Sequence, residues 1–306
     1  GYSMFGSSFV YIVFEDGVDE YWARSRVLEA LSKIKRDLPE NAVPQIGPDA
    51  TGVGWIYQYA VIDKDGKYDL SALRSLQDWF LKFELATVEG VSEVASVGGF
   101  VKEYQVLVDP NRLRSYDIPL NRIIQAVRTA SREVGGRVVE QGEMELVIRS
   151  RGYITNLNDL KKVVVFADNG TPVVLSDVAR IVEGPELRRG LVELDGEGEV
   201  VGGIIVMRSG ANALTVIKDV KEKINELKSG LPSGVELRTV YDRAPLIQGA
   251  VDYLTRKLLE EAFVVAFICL IFLLHIRSAS VAIVTLPLGI FGAFIVMYFQ
   301  GITVNI

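Results

Sequence analysis

The residues with side chains suited to soft metals are few: one histidine, His275, one cysteine, Cys269, and four methionines, Met4, Met144, Met207 and Met297. A nucleophilic triad needs a histidine beside a serine or cysteine and an acid to orient it. His275 sits at the edge of an apolar stretch, so no such set assembles and an enzyme is not expected. A single cysteine allows neither an intrachain disulfide nor a paired-thiol metal site, and Cys269, inside an apolar run, reads as a small hydrophobe. Thioether sulfur suits soft ions such as Cu(I), although methionine more often fills cores. Met297, within the last apolar stretch, is the remaining candidate metal ligand, and nothing in the sequence pairs it with a second one.

Two short motifs fail on their chemistry. Asp63-Lys64-Asp65-Gly66 has the start of a calcium loop but lacks the later ligands and the terminal bidentate Glu, so it reads as a turn. Gly52-Val53-Gly54 precedes a strand, whereas a dinucleotide fingerprint follows one and has a third glycine. A formal net charge of -6 argues against a nucleic-acid partner.

The elements that position these residues divide into a charged body and an apolar tail, which together make the chain 49% hydrophobic. Residues 278–306 contain no Asp, Glu, Lys or Arg, and the wholly apolar or small-residue part, 279–299, matches the ~20 residues needed to cross a bilayer. The preceding apolar run, 262–274, is shorter, but Tyr253, Leu254, Leu258 and Leu259 extend it backwards. We read one helix from about Pro245 to His275 that begins in water and ends in lipid, with Glu260 and Glu261 near the boundary. His275 and Arg277 in the short hairpin place that hairpin in the cytoplasm and the body on the opposite side. Pro287, Gly289 and Gly292 suggest close helix packing within the second span.

The body reads as strand-helix-strand units. Residues 9–14 are β-branched and aromatic, and from Asp19 the residues Val27, Leu31, Ile34 and Leu38 recur at helical spacing up to Pro39. A fuller unit follows: a strand over 55–62, a turn at Asp65-Gly66, a helix over 71–88 and a returning strand over 103–108. The same grammar recurs as a strand over 200–208, a helix over 213–228 and a strand over 235–241. Two such units make a ferredoxin-like β-α-β-β-α-β sandwich. The intervening residues, about 110–195, have elements of their own: a helix over 120–131, a hairpin over 137–149, and strands near 163–166 and 173–175 joined at Asn169-Gly170. They are an insertion of the kind that reaches a partner.

Gly1 is not an initiator methionine and 304–306 carries no charged flank, so a fragment of a longer, exported polypeptide is expected.

Several stretches resemble the heavy-metal-efflux branch of the resistance-nodulation-division exporters over the full length: Gly1-Tyr2-Ser3-Met4-Phe5-Gly6, Phe14-Glu15-Asp16-Gly17, Gly47-Pro48-Asp49-Ala50-Thr51-Gly52-Val53-Gly54-Trp55, Ser75-Leu76-Gln77-Asp78-Trp79 and Phe299-Gln300-Gly301. The resemblance implies a secondary active transporter, a cation/proton antiporter with no cofactor, whose cargo is a heavy-metal cation. It also implies a multi-pass protein of the bacterial inner membrane, a homotrimer joined to a periplasmic adaptor protein and an outer-membrane channel.

The implied fold is an α+β periplasmic porter domain of ferredoxin-like βαβ subdomains with an inserted docking subdomain, followed by two transmembrane helices. By that resemblance, 1–47 finishes the first N-terminal porter subdomain and 48–109 with 195–242 forms the second. The docking subdomain is 110–194, transmembrane helix 2 is 243–276 and helix 3 is 279–300. The proton-carrying carboxylate and the metal-gripping methionines of that family fall outside this chain, so no catalytic residue carries over. Copper pumps of the branch have Met where this chain has Leu187, which leaves the cation open between Cu(I) or Ag(I) and a divalent ion such as zinc or cobalt. A drug or lipid exporter of the same superfamily, or a membrane-anchored ferredoxin-like sensor module, are the alternative readings.

Overall fold

The computed structural model describes residues 1–4, 6–39, 42–132, 134–142, 144–150, 152–168, 170–188, 190–273 and 276–300, without side chains at 134–137, 141, 147–150, 168, 273, 276–279, 282 and 286. The chain opens with a two-stranded ribbon, β1 (Tyr2–Met4) and β2 (Ser7–Phe9), and then α1 (Glu20–Ile34), whose start is capped by Asp19 accepting from the Trp22 amide at 2.7 Å. Two expectations change here. Residues 10–15 form no strand, because they find no partner strand among the described residues and an unpaired strand leaves its backbone groups unsatisfied. The helix stops at Ile34, short of Pro39, and only Ala23 on it is buried, so among the described residues the expected apolar stripe packs against little.

The main layer follows. β3 (Trp55–Asp63) leads into α2 (Leu70–Leu76), a π-helical turn (Gln77–Leu81) and α3 (Lys82–Ala86), then β4 (Val91–Gly98). Next come β5 (Lys102–Val108), α4 (Pro110–Ser115), α5 (Leu120–Ala130), the hairpin β6 (Val134–Gln141) and β7 (Met144–Ser150), and α6 (Leu157–Lys161). The ribbon β8 (Val164–Asp168) and β9 (Thr171–Val174), α7 (Leu175–Val178) and β10 (Ala179–Pro185) complete the middle region. β11 (Val201–Met207), α8 (Ala213–Leu227) and β12 (Val235–Asp242) return to the main layer, and α9 (Ala244–Leu273) and α10 (Ile276–Phe299) end the described chain.

The main sheet is antiparallel with strand order β12-β3-β11-β4. Read along the chain, β3-helix-β4 and β11-α8-β12 interleave as the β-α-β-β-α-β motif requires. The expected returning strand over 103–108 is corrected: β4 takes that place, while β5 pairs with β10 in a separate two-stranded sheet. The segment 91–98 alternates poorly, with Ser and Glu among its valines, whereas β5 has the stronger β-forming composition. Pairing partner, and not propensity, separates them.

One core joins this sheet to its helices through Ile56, Tyr59, Val61, Leu81, Leu85, Val94, Val201, Ile205, Ile217 and Val220. Tyr59 is nearly fully buried and donates to Gln77 Oε1 at 2.9 Å, and Gln77 Nε2 donates to Ser96 Oγ at 3.3 Å, which satisfies a buried amide on the π-helical turn. Burial pushes the Tyr59 phenol up. Its ring lies so close to Gly203 that a Cβ there would overlap it. A second core, with Ile118, Ile123, Leu160, Val165, Leu175, Val178 and Ile181, holds the middle region together and takes in Val106 and Val108 of β5.

α9 and α10 pack against each other. Among the described residues no helix is long and apolar enough to cross a membrane, which differs from the two spans expected at 243–276 and 279–300. In α9 the charges of Arg256, Lys257, Glu260 and Glu261 fall in its middle. The apolar part after them, 262–273, covers only about 18 Å against a hydrocarbon core of about 30 Å. α10 is a continuous helix with Pro287 inside it, and 274–275 and 301–306 lie outside the described residues. Among the described residues none closely approaches Gly289 or Gly292.

Candidate functional site

The feature that ties the two parts of the molecule together is the root of α9. β12 ends at Asp242, opposite Tyr57 of β3. The Asp242 carboxylate, 19% exposed, accepts from Lys221 Nζ of α8 at 2.5 Å and from the Ala244 amide at 3.0 Å. The second bond satisfies one of the donors that a helix start leaves without a partner. Arg243 is fixed at both ends: its amide donates to the Ile56 carbonyl at 3.1 Å and its Nη1 to the Val53 carbonyl at 2.5 Å. Ala244 is buried in the main core. The long helix is therefore anchored to the sheet, to α8 and to the loop before β3 within three consecutive residues, 242–244.

Each anchor has a local cause. α8 turns Val216, Ile217, Val220, Ile224 and Leu227 into the core and so leaves Lys221 at its rim, within reach of the end of β12. An irregularity in the β12–β3 pairing between Thr239 and Tyr241 precedes Asp242, and bulges of this kind re-aim a strand end. A cleft of about 460 Å³ opens between α8 and α9, lined in part by Lys218, Glu222, Asn225 and Gln248.

Close by, Asp49 joins the loop before β3 to four neighbours. It accepts from Ser92 Oγ of β4 and from Tyr21 Oη of α1 at 3.4 Å, lies 3.6 Å from Arg208 Nε, and through its carbonyl accepts the Ser209 amide at 3.0 Å. The Ser92 hydrogen bond, aided by the charges of Arg208 and Arg24, holds its carboxyl below the usual carboxylate range against the opposing effect of burial.

Among the described residues no group of three His, Cys, Asp or Glu side chains is placed to hold a metal ion. Met297 lies half-buried on α10, and the described structure assigns it no companion ligand. Met4 and Met144 are exposed, Met207 packs against the main core, and Cys269 is half-buried on α9. Leu187 is 81% exposed just after β10. Asp63 of the false calcium motif accepts from the Asp65 and Tyr68 amides at 3.0 and 2.6 Å, so its oxygens serve a turn. The charged tethers of Lys221, Asp242 and Arg243 thus converge on the root of α9.

A sequence profile described as the AcrB/AcrD/AcrF family matches residues 2–306. The chain belongs to that family. It is 56% identical over 307 aligned residues to "Cation efflux system protein CusA" of Escherichia coli strain K12, covering 100% of this chain and 29% of that protein. It is 34% identical to "Cobalt-zinc-cadmium resistance protein CzcA" of Cupriavidus metallidurans, covering 99% of this chain and 29% of that protein. A crystal structure titled as a heavy metal efflux pump superposes with a TM-score of 0.84 at 33% identity, over 96% of this chain and 29% of that one. The chain therefore spans under a third of the length of these AcrB/AcrD/AcrF-type relatives.

Sequence reasoning did not single out Lys221, Asp242, Arg243 or Asp49. A usable signal was present at the helix root, since Asp242 stands three residues before Pro245 and Asp followed by an early Pro is a helix-start pattern. Asp49 lies inside the Gly47 to Trp55 motif, where its role depends on contacts with residues 28 to 160 positions away.

Proposed function

We propose that this chain is part of a proton-driven inner-membrane exporter of heavy-metal cations, copper or silver or a divalent ion such as zinc or cobalt. The observation that carries this reading is 56% identity to the Escherichia coli cation efflux protein across the whole of the chain. The similarity to the solved heavy metal efflux pump supports it as well. In this reading the body lies in the periplasm with porter subdomains at 1–47 and at 48–109 with 195–242, and a docking subdomain at 110–194. The natural protein works as a homotrimer with a periplasmic adaptor and an outer-membrane channel. In this reading α9 and α10 correspond in sequence to the second and third transmembrane helices of the full-length exporter, although among the described residues neither is long and apolar enough to cross a membrane.

The root of α9 then acts as the coupling joint between porter and membrane. Expressed in its natural full length in a metal-sensitive host, the protein should restore growth on copper, silver, zinc or cobalt salts, and the cation that gives the largest effect identifies the cargo. Replacing Glu260 and Glu261 with Gly-Pro breaks α9 below the joint and should abolish that resistance at unchanged expression. Resistance to drugs without resistance to any metal would overturn the proposal.

A further inference from the structure

Residues 47–54 form an irregular strap between α1 and β3, and the strap touches more of the molecule than its length requires. At one end Arg24 Nη2 of α1 donates to the Gly47 carbonyl at 2.8 Å and Tyr21 Oη reaches Asp49. In the middle Asp49 is held by Ser92 and Arg208, and the Gly54 amide closes a turn on the Thr51 carbonyl at 2.9 Å. A Cβ at Gly54 would lie 3.0 Å from the Thr51 carbonyl oxygen and 3.1 Å from that of Met207, so a side chain there would crowd both carbonyls where the strap meets the end of β11. At the far end the Val53 carbonyl takes the Arg243 guanidinium.

We infer that Arg243 is a positioning residue through which the strap passes displacements of α1 directly to the root of α9. The inference rests on the reading of α9 as the coupling helix. Two tethers then hold that root in different directions: Lys221–Asp242 ties it to α8, and Arg243–Val53 ties it to the strap and α1. The second tether is charge-assisted and spans 190 positions of sequence, and bonds to a charged partner are the stronger class. A purely local cap would need neither Asp49 nor the α1 contacts.

The test uses the natural full-length protein in detergent, with Cys269 and any other native cysteine replaced by serine as background. Spin labels at Leu28→Cys on α1 and Leu254→Cys on α9 report one distance by electron paramagnetic resonance, and labels at Lys218→Cys on α8 and Leu254→Cys report another. Arg243→Gln should widen and shift the α1–α9 distribution and leave the α8–α9 distribution as it is. Lys221→Met should do the reverse, and Arg243→Lys should restore part of the α1–α9 order. An unchanged α1–α9 distribution in Arg243→Gln overturns the inference, as does equal widening of both distributions, which would mark Arg243 as a general structural prop. Should Arg243→Gln fail to fold, Asp49→Asn loosens the same strap from its other end and must widen the same distance. These distances do not depend on transport, so absent metal resistance in the parent protein counts against the proposed function and leaves the strap to be judged on its own.

Discussion

Lys221 and Asp242 stand 2.5 Å apart at the place where the main sheet gives way to the long helix, and the same carboxylate takes the amide of Ala244. One aspartate thus joins a helix rim, a strand end and a helix start. Asp242→Ala removes an ion pair and a helix-start acceptor together. A helix-start acceptor alone is worth about 1 kcal/mol, and a half-exposed ion pair adds about 0.2 to 1 kcal/mol. The variant should lose roughly 1 to 2 kcal/mol in unfolding measurements, and Lys221→Met, which keeps the aliphatic stem and the Ala244 bond, should lose less. Equal losses would show that the cap contributes nothing.

The buried pair Tyr59 and Gln77 makes a sharper demand. Tyr59→Phe leaves Gln77 Oε1 without its donor in a fully buried position, a loss of about 1 to 3 kcal/mol. Adding Gln77→Met should cost less than the sum of the two single changes, because the second removes the group that the first left unsatisfied. A double-mutant cycle in thermal or denaturant unfolding measures this, and strict additivity would contradict the pairing.

Gly203 faces the same tyrosine ring. With Tyr59 in place, Gly203→Ala has no room for its methyl group, and such overpacking costs about 1 to 3 kcal/mol. Tyr59→Leu in the same chain should recover part of that loss by removing the ring. A Gly203→Ala variant as stable as the parent would mean that the ring moves aside freely.

Much of the fold was legible because it rests on local pattern. The apolar spacing of Ile217, Val220, Ile224 and Leu227 marks α8, and the strand over 201–207 declares itself by β-branched composition. What the sequence hid was partnership. Residues 91–98 and 102–108 both have strand character, and only the packing of Val106 and Val108 on a second core decides that the latter leaves the main sheet. Residues 10–14 carry a strong β pattern without a partner strand among the described residues. Lys221, Asp242, Arg243 and Asp49 were silent for the same reason: each is an ordinary surface charge until the ends of β3, β11, β12 and α8 converge. The apolar tail was the reverse case, plain in composition, while its placement as spans depends on residues beyond those described.

Asp49 carries a dependence on acidity whose sign follows from its surroundings. Its folded-state pKa lies below the ordinary value for Asp, about 3.9 in unfolded chains. A carboxyl depressed on folding contributes stability that is fully present above the unfolded pKa and is lost as pH falls through the folded one. Asp49→Asn keeps an oxygen for Ser92 and Tyr21 but gives up the charge that Arg208 and Arg24 favour. The variant should therefore be less stable than the parent at neutral pH, and the gap should close as the pH is taken below about 4. Unfolding midpoints of both proteins across that range measure it. A gap that stays constant would show that Asp49 acts only as a neutral acceptor; a gap that widens in acid would reverse the assignment of its pKa. Because Asp49 also anchors the strap to β4, acid should loosen the contact between α1 and the root of α9 in the parent and change it little in Asp49→Asn.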